Sequence, residues 1–232
     1  MNALLSKLSF VSICYNDPGI CETTQSIKHL LELGSKHIIQ NGGKSLNSKD
    51  FLFSQVYNEE DYGIYNALNK AISKVQTEYF ILIHAGDTFI GSKNDLEEII
   101  IHLNKTKADL SLNNQLIGSR RHFSNLWKPW MLFFGAQPPH LPTIYRTDIF
   151  QNIHYSEKIP VIADFEFFKS LQWSNYRKDN KLLIKMATGG RTSSGFKSFI
   201  FVNRCYLRVY GINGWLYILL RIPFKIIQTI KI

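Results

Sequence analysis

The chain has 232 residues, 45% of them hydrophobic, with no low-complexity tract, which suits one substantial domain and excludes a disordered or fibrous protein. Lys and Arg outnumber Asp and Glu by 27 to 18, a formal charge of +9, so the surface attracts phosphates, whether of nucleotide, nucleic acid or anionic membrane. No helix-turn-helix, zinc-finger or RNP pattern occurs, which sets nucleic acid aside, and a basic protein with no such partner is the plain alternative.

Leu8–Tyr15 is a near-continuous apolar run, as expected of a strand covered on both faces. It stops at the turn cluster Asn16-Asp17-Pro18-Gly19. A helix is predicted over 20–33, opened near Thr23 or Thr24, with Ile27, Leu30 and Leu31 inward and Gly34 as its stop. His37-Ile38-Ile39 forms a second strand, ending at Gln40-Asn41-Gly42-Gly43. Short links between strand, helix and strand imply parallel pairing with a right-handed crossover. Phe51–Val56 reads as a third strand.

The next stretch opens with Glu59, Glu60 and Asp61, then places Ile64, Ala67, Leu68, Ala71, Ile72 and Val75 at helical spacing. Tyr79–Ile83 is long enough for a buried strand and too short for a helix, and it runs into His84-Ala85-Gly86-Asp87. A carboxylate just past a buried strand sits at the carboxyl edge of a sheet, where open α/β folds bind ligands. Asn16, Asn41 and Asp87 each follow a predicted strand and Asp61 precedes the long helix, so parallel strands would bring all four to one edge. Asp61 has a plainer reading as a first-turn acid facing the helix dipole, and Asn41-Gly42 as a favourable turn.

Ser92 to Asp95 has the form of a capping box, and the helix behind it runs to about Lys105 with Leu96, Ile99, Ile100 and Leu103 inward. Asp109–Asn113 is a further strand, and residues 115–123 are expected to return beside it. Residues 123–142, rich in Trp, Phe and Pro, suit a packed loop, an acceptor platform or a membrane-facing lip. His140 leads into a strand ending at Arg146, and Asp164 is expected to start a helix with Phe165, Phe168 and Leu171 on its buried side. A structural His140 and an ordinary N-cap Asp164 are the plain readings. Lys181–Ala187 is a strand, followed by the small polar loop 189–195 with Arg191 and a helix over 197–210. In the tail, Trp215, Ile218, Leu219, Ile222, Ile226 and Ile230 line one helical side and Arg221, Lys225 and Gln228 another, with Pro223 interrupting. Such a helix suits the surface of an anionic membrane, or packing on its own domain or a partner subunit.

Cys14, Cys21 and Cys205 are sparse, odd in number and without metal-type spacing, which points to a reducing compartment. The N-terminal residues lack the signal-peptide pattern, and no apolar run reaches spanning length. The expected location is cytoplasmic, peripheral on the inner membrane through the tail.

Residues 58–72 (NEEDYGIYNALNKAI) followed by a strand and H-A-G-D resemble the core of family 2 glycosyltransferases with the GT-A fold, in a bacterial branch reading SE-x-D-x-G-I-Y-D-A-M-N-K-G-I and then L-N-S-G-D. H-L-P-T-I-Y-R at 140–146 resembles that family's H-Q-x-x-F-Y-R, and A-D-F-E-F at 163–167 its A-S-D-Y-D-F segment. The resemblance implies an α/β GT-A (Rossmann-like) fold: a mixed, mostly parallel central sheet flanked by helices, with a C-terminal amphipathic helical tail. Residues 1–107 would form the nucleotide-sugar half, 108–196 the acceptor half and 197–232 the tail. It implies an inverting, metal-dependent transfer from a nucleoside diphosphate sugar, first of all a UDP-sugar, to a hydroxyl of a glycan or lipid-linked glycan in bacterial surface polysaccharide or lipo-oligosaccharide assembly.

On the same grounds Asp164 would be the general base and Asp87 the ligand of Mn²⁺ or Mg²⁺. Asn16, Asn41, Asp61, Lys70, His84 and Arg191 would serve the donor, and His140 and Glu166 the substrate. The resembled family commonly has an Asp where Gln40-Asn41 stand and an Asn or Asp in the place of His84. A sugar-nucleotide-binding protein without catalysis and a nucleotidyltransferase are the rival readings, and a homodimer is left open.

Overall fold

The computed structural model describes residues 2–159, 161–187 and 196–231, with side chains described for all of these except 196–199, 222 and 224–231. The strands are β1 (Leu8–Cys14), β2 (Lys36–Asn41), β3 (Gln55–Asn58), β4 (Tyr79–Leu82), β5 (Thr88–Phe89), β6 (Leu110–Ile117), β7 (Arg120–His122), β8 (Ile144–Arg146), β9 (Tyr176–Met186) and β10 (Thr229–Lys231). The helices are α1 (Ile20–Glu32), α2 (Ile64–Ile72), α3 (Lys93–Thr106), α4 (Ala163–Ser170), α5 (Phe196–Tyr210) and α6 (Gly214–Gln228).

One mixed sheet runs β10-β7-β6-β8-β4-β1-β2-β3, with β9 pairing β6 and β5. The run β4-β1-β2-β3 is parallel, as the short strand–helix–strand links require. β8 is inserted antiparallel between β4 and β6. β1 is buried along almost its whole length because helices cover both faces of a parallel sheet. α1 and α2 turn Ile27, Leu30, Leu68, Ala71 and Ile72 into one continuous core with Phe10, Val11, Phe80 and Ile81. Fully burying a side chain of this size stabilises by about 1.5–3 kcal/mol relative to leaving it exposed. Aromatic rings fill the other half of that core: Phe80 stacks on Tyr145 at 5.3 Å between centroids, and Phe150 on Phe167 at 4.7 Å.

The capping box holds: Asp95 N–H donates to Ser92 Oγ (3.1 Å) and Ser92 N–H to Asp95 Oδ2 (2.9 Å). The third strand lies later than its sequence suggests. Phe51 is not in a strand; its ring plugs a small cluster with Cys14, Ile20 and Ile39, and pairing begins only at Gln55. Residues 120–122 do return beside β6, while β9 is longer than expected. In the aromatic stretch Trp127 is fully buried and donates to the Ala136 carbonyl, as in a packed loop, whereas Phe133 of the adjoining 3-10 turn, Pro129–Phe134, faces solvent.

The tail corrects a second expectation. Arg221, grouped by helical spacing with Lys225 and Gln228 on the polar side of the tail helix, is buried, stacks 4.6 Å from the Tyr206 ring centroid and donates to Asn203 Oδ1. Ile218 is turned inward beside it. Leu216, Leu219 and Trp215 are exposed instead. Among the described residues no helix is long and apolar enough to cross a membrane.

Candidate active site

Three parallel strands end level with one another: Cys14 pairs with Asn41, and Asn41 with Asn58. The loops beyond them meet because the one after β2 carries two glycines. A Cβ on Gly42 would fall 1.8 Å from Asp61 Oδ2, and one on Gly43 would fall 2.6 Å from the Asn16 nitrogen. The structure thus brings Asn16, Asn41 and Asp61 together at the carboxyl edge. Their polar atoms hold the loops in shape. Asn16, in the left-handed region at φ 54°, accepts from Lys44 N–H (2.7 Å). Buried Asn41 donates to Lys44 O and Asn58 Oδ1, both at 2.8 Å. Asp61 Oδ1 accepts from Gly63 N–H at the start of α2 (3.2 Å). Lys70 ties the same loop down by donating to the Glu60 carbonyl.

Asp87 follows β4 as expected, but its carboxylate is 5% exposed and both oxygens are engaged. Oδ2 accepts from His84 N–H (3.0 Å) and Oδ1 from Ala187 N–H at the end of β9 (2.9 Å). Burial, opposed by these two bonds and reinforced by the nearby Asp17 charge, pushes its pKa up to about 6. Each oxygen keeps one lone pair, so the residue fits a hard divalent ion only as a single-carboxylate ligand, with phosphate and water completing the shell. Among the described residues no group of three His, Cys, Asp or Glu converges as a metal site. His84 Nδ1 is buried without a hydrogen-bond partner, and burial, with His140 facing it, lowers its pKa to about 3. Its ring is therefore neutral, the form that can donate a lone pair.

Asp164 lies one residue inside α4, whose N-cap is Ile162; it is not the N-cap itself. Its Oδ2 accepts from Gln137 Nε2 (2.6 Å), and Oδ1 from Phe165 N–H (2.9 Å) and Tyr65 Oη (3.4 Å). Burial raises its pKa above the usual carboxylate range despite these donors. His140 Nε2 is 2.7 Å from Tyr155 Oη, and burial lowers the His140 pKa to about 4. Tyr155 is held in turn by α2, its N–H donating to Asn69 Oδ1 (3.1 Å) and its carbonyl accepting from Asn69 Nδ2 (2.9 Å). His84, His140 and Asp164 therefore share one polar zone floored by Tyr65 and Tyr155.

Glu166, two residues after Asp164 in α4, pairs with Lys169 (3.2 Å). Arg191 lies outside the described residues. Gln137, Tyr65 and Tyr155 escaped sequence reasoning, and the one available signal was the position of Gln137 three residues before His140. A separate hollow of about 370 Å³, lined by Ser9, Lys36, Gln55 and Glu78 among others, opens at the opposite, amino edge of the strands, away from all of these residues.

This fold is that of the GT-A glycosyltransferases. TarS residues 1–349 from S. aureus, solved with UDP-GlcNAc, superpose with a TM-score of 0.61 at 13% identity, over 88% of this chain and 67% of that one. The mannosyltransferase PcManGT from Pyrobaculum calidifontis, solved with GDP-Man and Mn²⁺, also gives 0.61, at 10% identity over 96% of this chain and 72% of that one. Mannosyl-3-phosphoglycerate synthase from Rubrobacter xylanophilus gives 0.56 at 11% identity, over 88% and 74%. No family model and no curated protein matches the chain.

Proposed function

We propose that this chain is a family 2 glycosyltransferase. It moves a sugar from a nucleoside diphosphate sugar, with UDP the first base to test, to a hydroxyl of a glycan or lipid-linked glycan in bacterial surface polysaccharide or lipo-oligosaccharide assembly. It works in the cytoplasm, peripheral on the inner membrane. The observation that carries the reading is Asp164: a carboxylate of raised proton affinity, fixed by Gln137 and Tyr65, at the edge of a sheet whose strand-end loops form a glycine-lined cradle.

The acceptor hydroxyl gives its proton to Asp164 as its oxygen bonds to the anomeric carbon. The bond from that carbon to the diphosphate breaks, and the nucleoside diphosphate leaves with the electron pair. Attack opposite the leaving group inverts the centre. A positioned base of this kind supplies about 10²–10⁴-fold. His140, neutral and held by Tyr155, lines the acceptor side. Asp87 would hold Mn²⁺ or Mg²⁺, which supplies Lewis-acid charge stabilisation to the departing diphosphate when bound. The TarS and PcManGT structures, which hold nucleotide sugars, support a donor of this class.

The test is a transfer assay with radiolabelled UDP-, GDP- and dTDP-sugars and a lipid-linked glycan extract, with and without Mn²⁺. Product that disappears in Asp164→Asn while nucleotide still raises the melting temperature supports the reading. Nucleotide binding without product in the unaltered chain supports the non-catalytic binding protein instead.

A further inference from the structure

The surface formed by α6 and the 3-10 turn Pro129–Phe134 carries apolar side chains from two distant parts of the chain. Phe133 is 78% exposed, Ile212 84%, Leu216 58% and Leu219 61%, with Trp215 beside them. The two segments are in contact: a Cβ on Gly135 would lie 3.0 Å from the Tyr217 carbonyl oxygen. Exposed apolar side chains grouped in this way mark an interaction surface.

Charge selects the occupant. No Asp or Glu follows Asp179, and none lies between Asp109 and Asp148, so both segments forming this surface are free of acids. After Asp179 there are nine Lys and Arg residues, and between Asp109 and Asp148 there are four. Lys128, just ahead of the Pro129–Phe134 turn, and Arg204 and Arg208, on the adjoining helix α5, are exposed. A second copy docking through the same face would bring the positive charge against itself. Apolar side chains with an exposed Trp, on segments that carry cations and no acids, instead match an anionic lipid surface.

We infer that this face, made jointly by α6 and the Pro129–Phe134 turn, seats the protein on an anionic bilayer. The inserted residues are Phe133, Leu216 and Leu219, while Arg221 stays inside the domain. The inference names the partner surface for the lipid-linked acceptor, and in that respect rests on the proposed transfer.

The experiment is co-sedimentation of the full chain with vesicles of phosphatidylcholine alone or with phosphatidylglycerol, in low and high salt and without sugar nucleotide. The expected result is binding to the anionic vesicles that weakens with salt. It should fall about tenfold or more in Leu219→Glu and again, independently, in Phe133→Glu. Circular dichroism and unchanged nucleotide-induced stabilisation would show that both variants fold. Binding indifferent to both substitutions, no binding to anionic vesicles, or a dimer whose formation is lost in the same variants would overturn the inference. Because no donor is present, any of these outcomes leaves the transfer reaction to be judged on its own assay.

Discussion

Gln137 reaches across 27 residues of chain to place its Nε2 2.6 Å from Asp164 Oδ2, on the opposite carboxylate oxygen from the one Tyr65 approaches. The amide lowers a proton affinity that burial raises. As the proposed base, Asp164 works when deprotonated, so kcat/KM for transfer should rise with pH through its pKa, above the ordinary Asp range. Gln137→Leu removes a stabilising donor and should move that inflection to higher pH. A pH–rate profile of the two proteins checks the shift. Asp164→Asn should lower kcat by about 10²–10⁴-fold with nucleotide binding retained.

Asp87 gives a pH signature in stability. Its folded pKa of about 6 lies above the ordinary value of 3.8. A raised carboxylate pKa means that the folded state holds the proton more tightly. Its contribution is complete below about pH 4 and is lost as pH rises through about 6, by about 3 kcal/mol. Denaturant unfolding from pH 4 to 7.5 should show this downward slope against an Asp87→Asn variant that lacks it. The variant should also be less stable at pH 4, because its amide nitrogen must meet a backbone N–H, a mismatch of about 1–3 kcal/mol. A cation that binds only with nucleotide should restore stability at pH 7.5 in the unaltered protein alone.

The two cradle glycines should respond differently to the same change. In Gly42→Ala the obstacle is the Asp61 side chain, which can swing aside; in Gly43→Ala it is the Asn16 backbone. Gly43→Ala should therefore weaken nucleotide binding more than Gly42→Ala, as titration calorimetry would show. Equal affinities would mean that the loops do not shape the nucleotide site.

Ser92→Ala removes one half of a reciprocal cap on α3 far from the cradle. It should cost about 1 kcal/mol of stability and leave transfer unchanged. Thermal unfolding alongside the activity assay checks both parts.

Much of residues 1–107 could be read from local pattern. The β1 run, the α2 periodicity and the Ser92–Asp95 box are short-range signals, and the strand-end positions of Asn16, Asn41 and Asp87 followed from parallel topology. What those side chains bond to did not follow. Asp87 looked like an open ligand because nothing in H-A-G-D announces that Ala187, a hundred residues on, donates to it. Tyr65, Gln137 and Tyr155 belong to three segments that meet only when β8 enters the sheet. The tail misled for a different reason. α6 is apolar almost all round, so periodicity found a stripe but not which side the domain would cover. Arg221, one of the residues of the polar side, is pressed onto Tyr206.

β8 runs against its neighbours, and this decides where variation can enter. A strand of reversed direction presents its beginning, not its end, to the edge where β4 finishes, so the segment ahead of it, carrying Gln137 and His140, arrives at the candidate site from outside the parallel unit. That segment can be exchanged without rebuilding the loops after β1, β2 and β3. Under the proposed transfer, a lineage of such proteins is free to change which alcohol it glycosylates while keeping one inherited grip on the nucleotide.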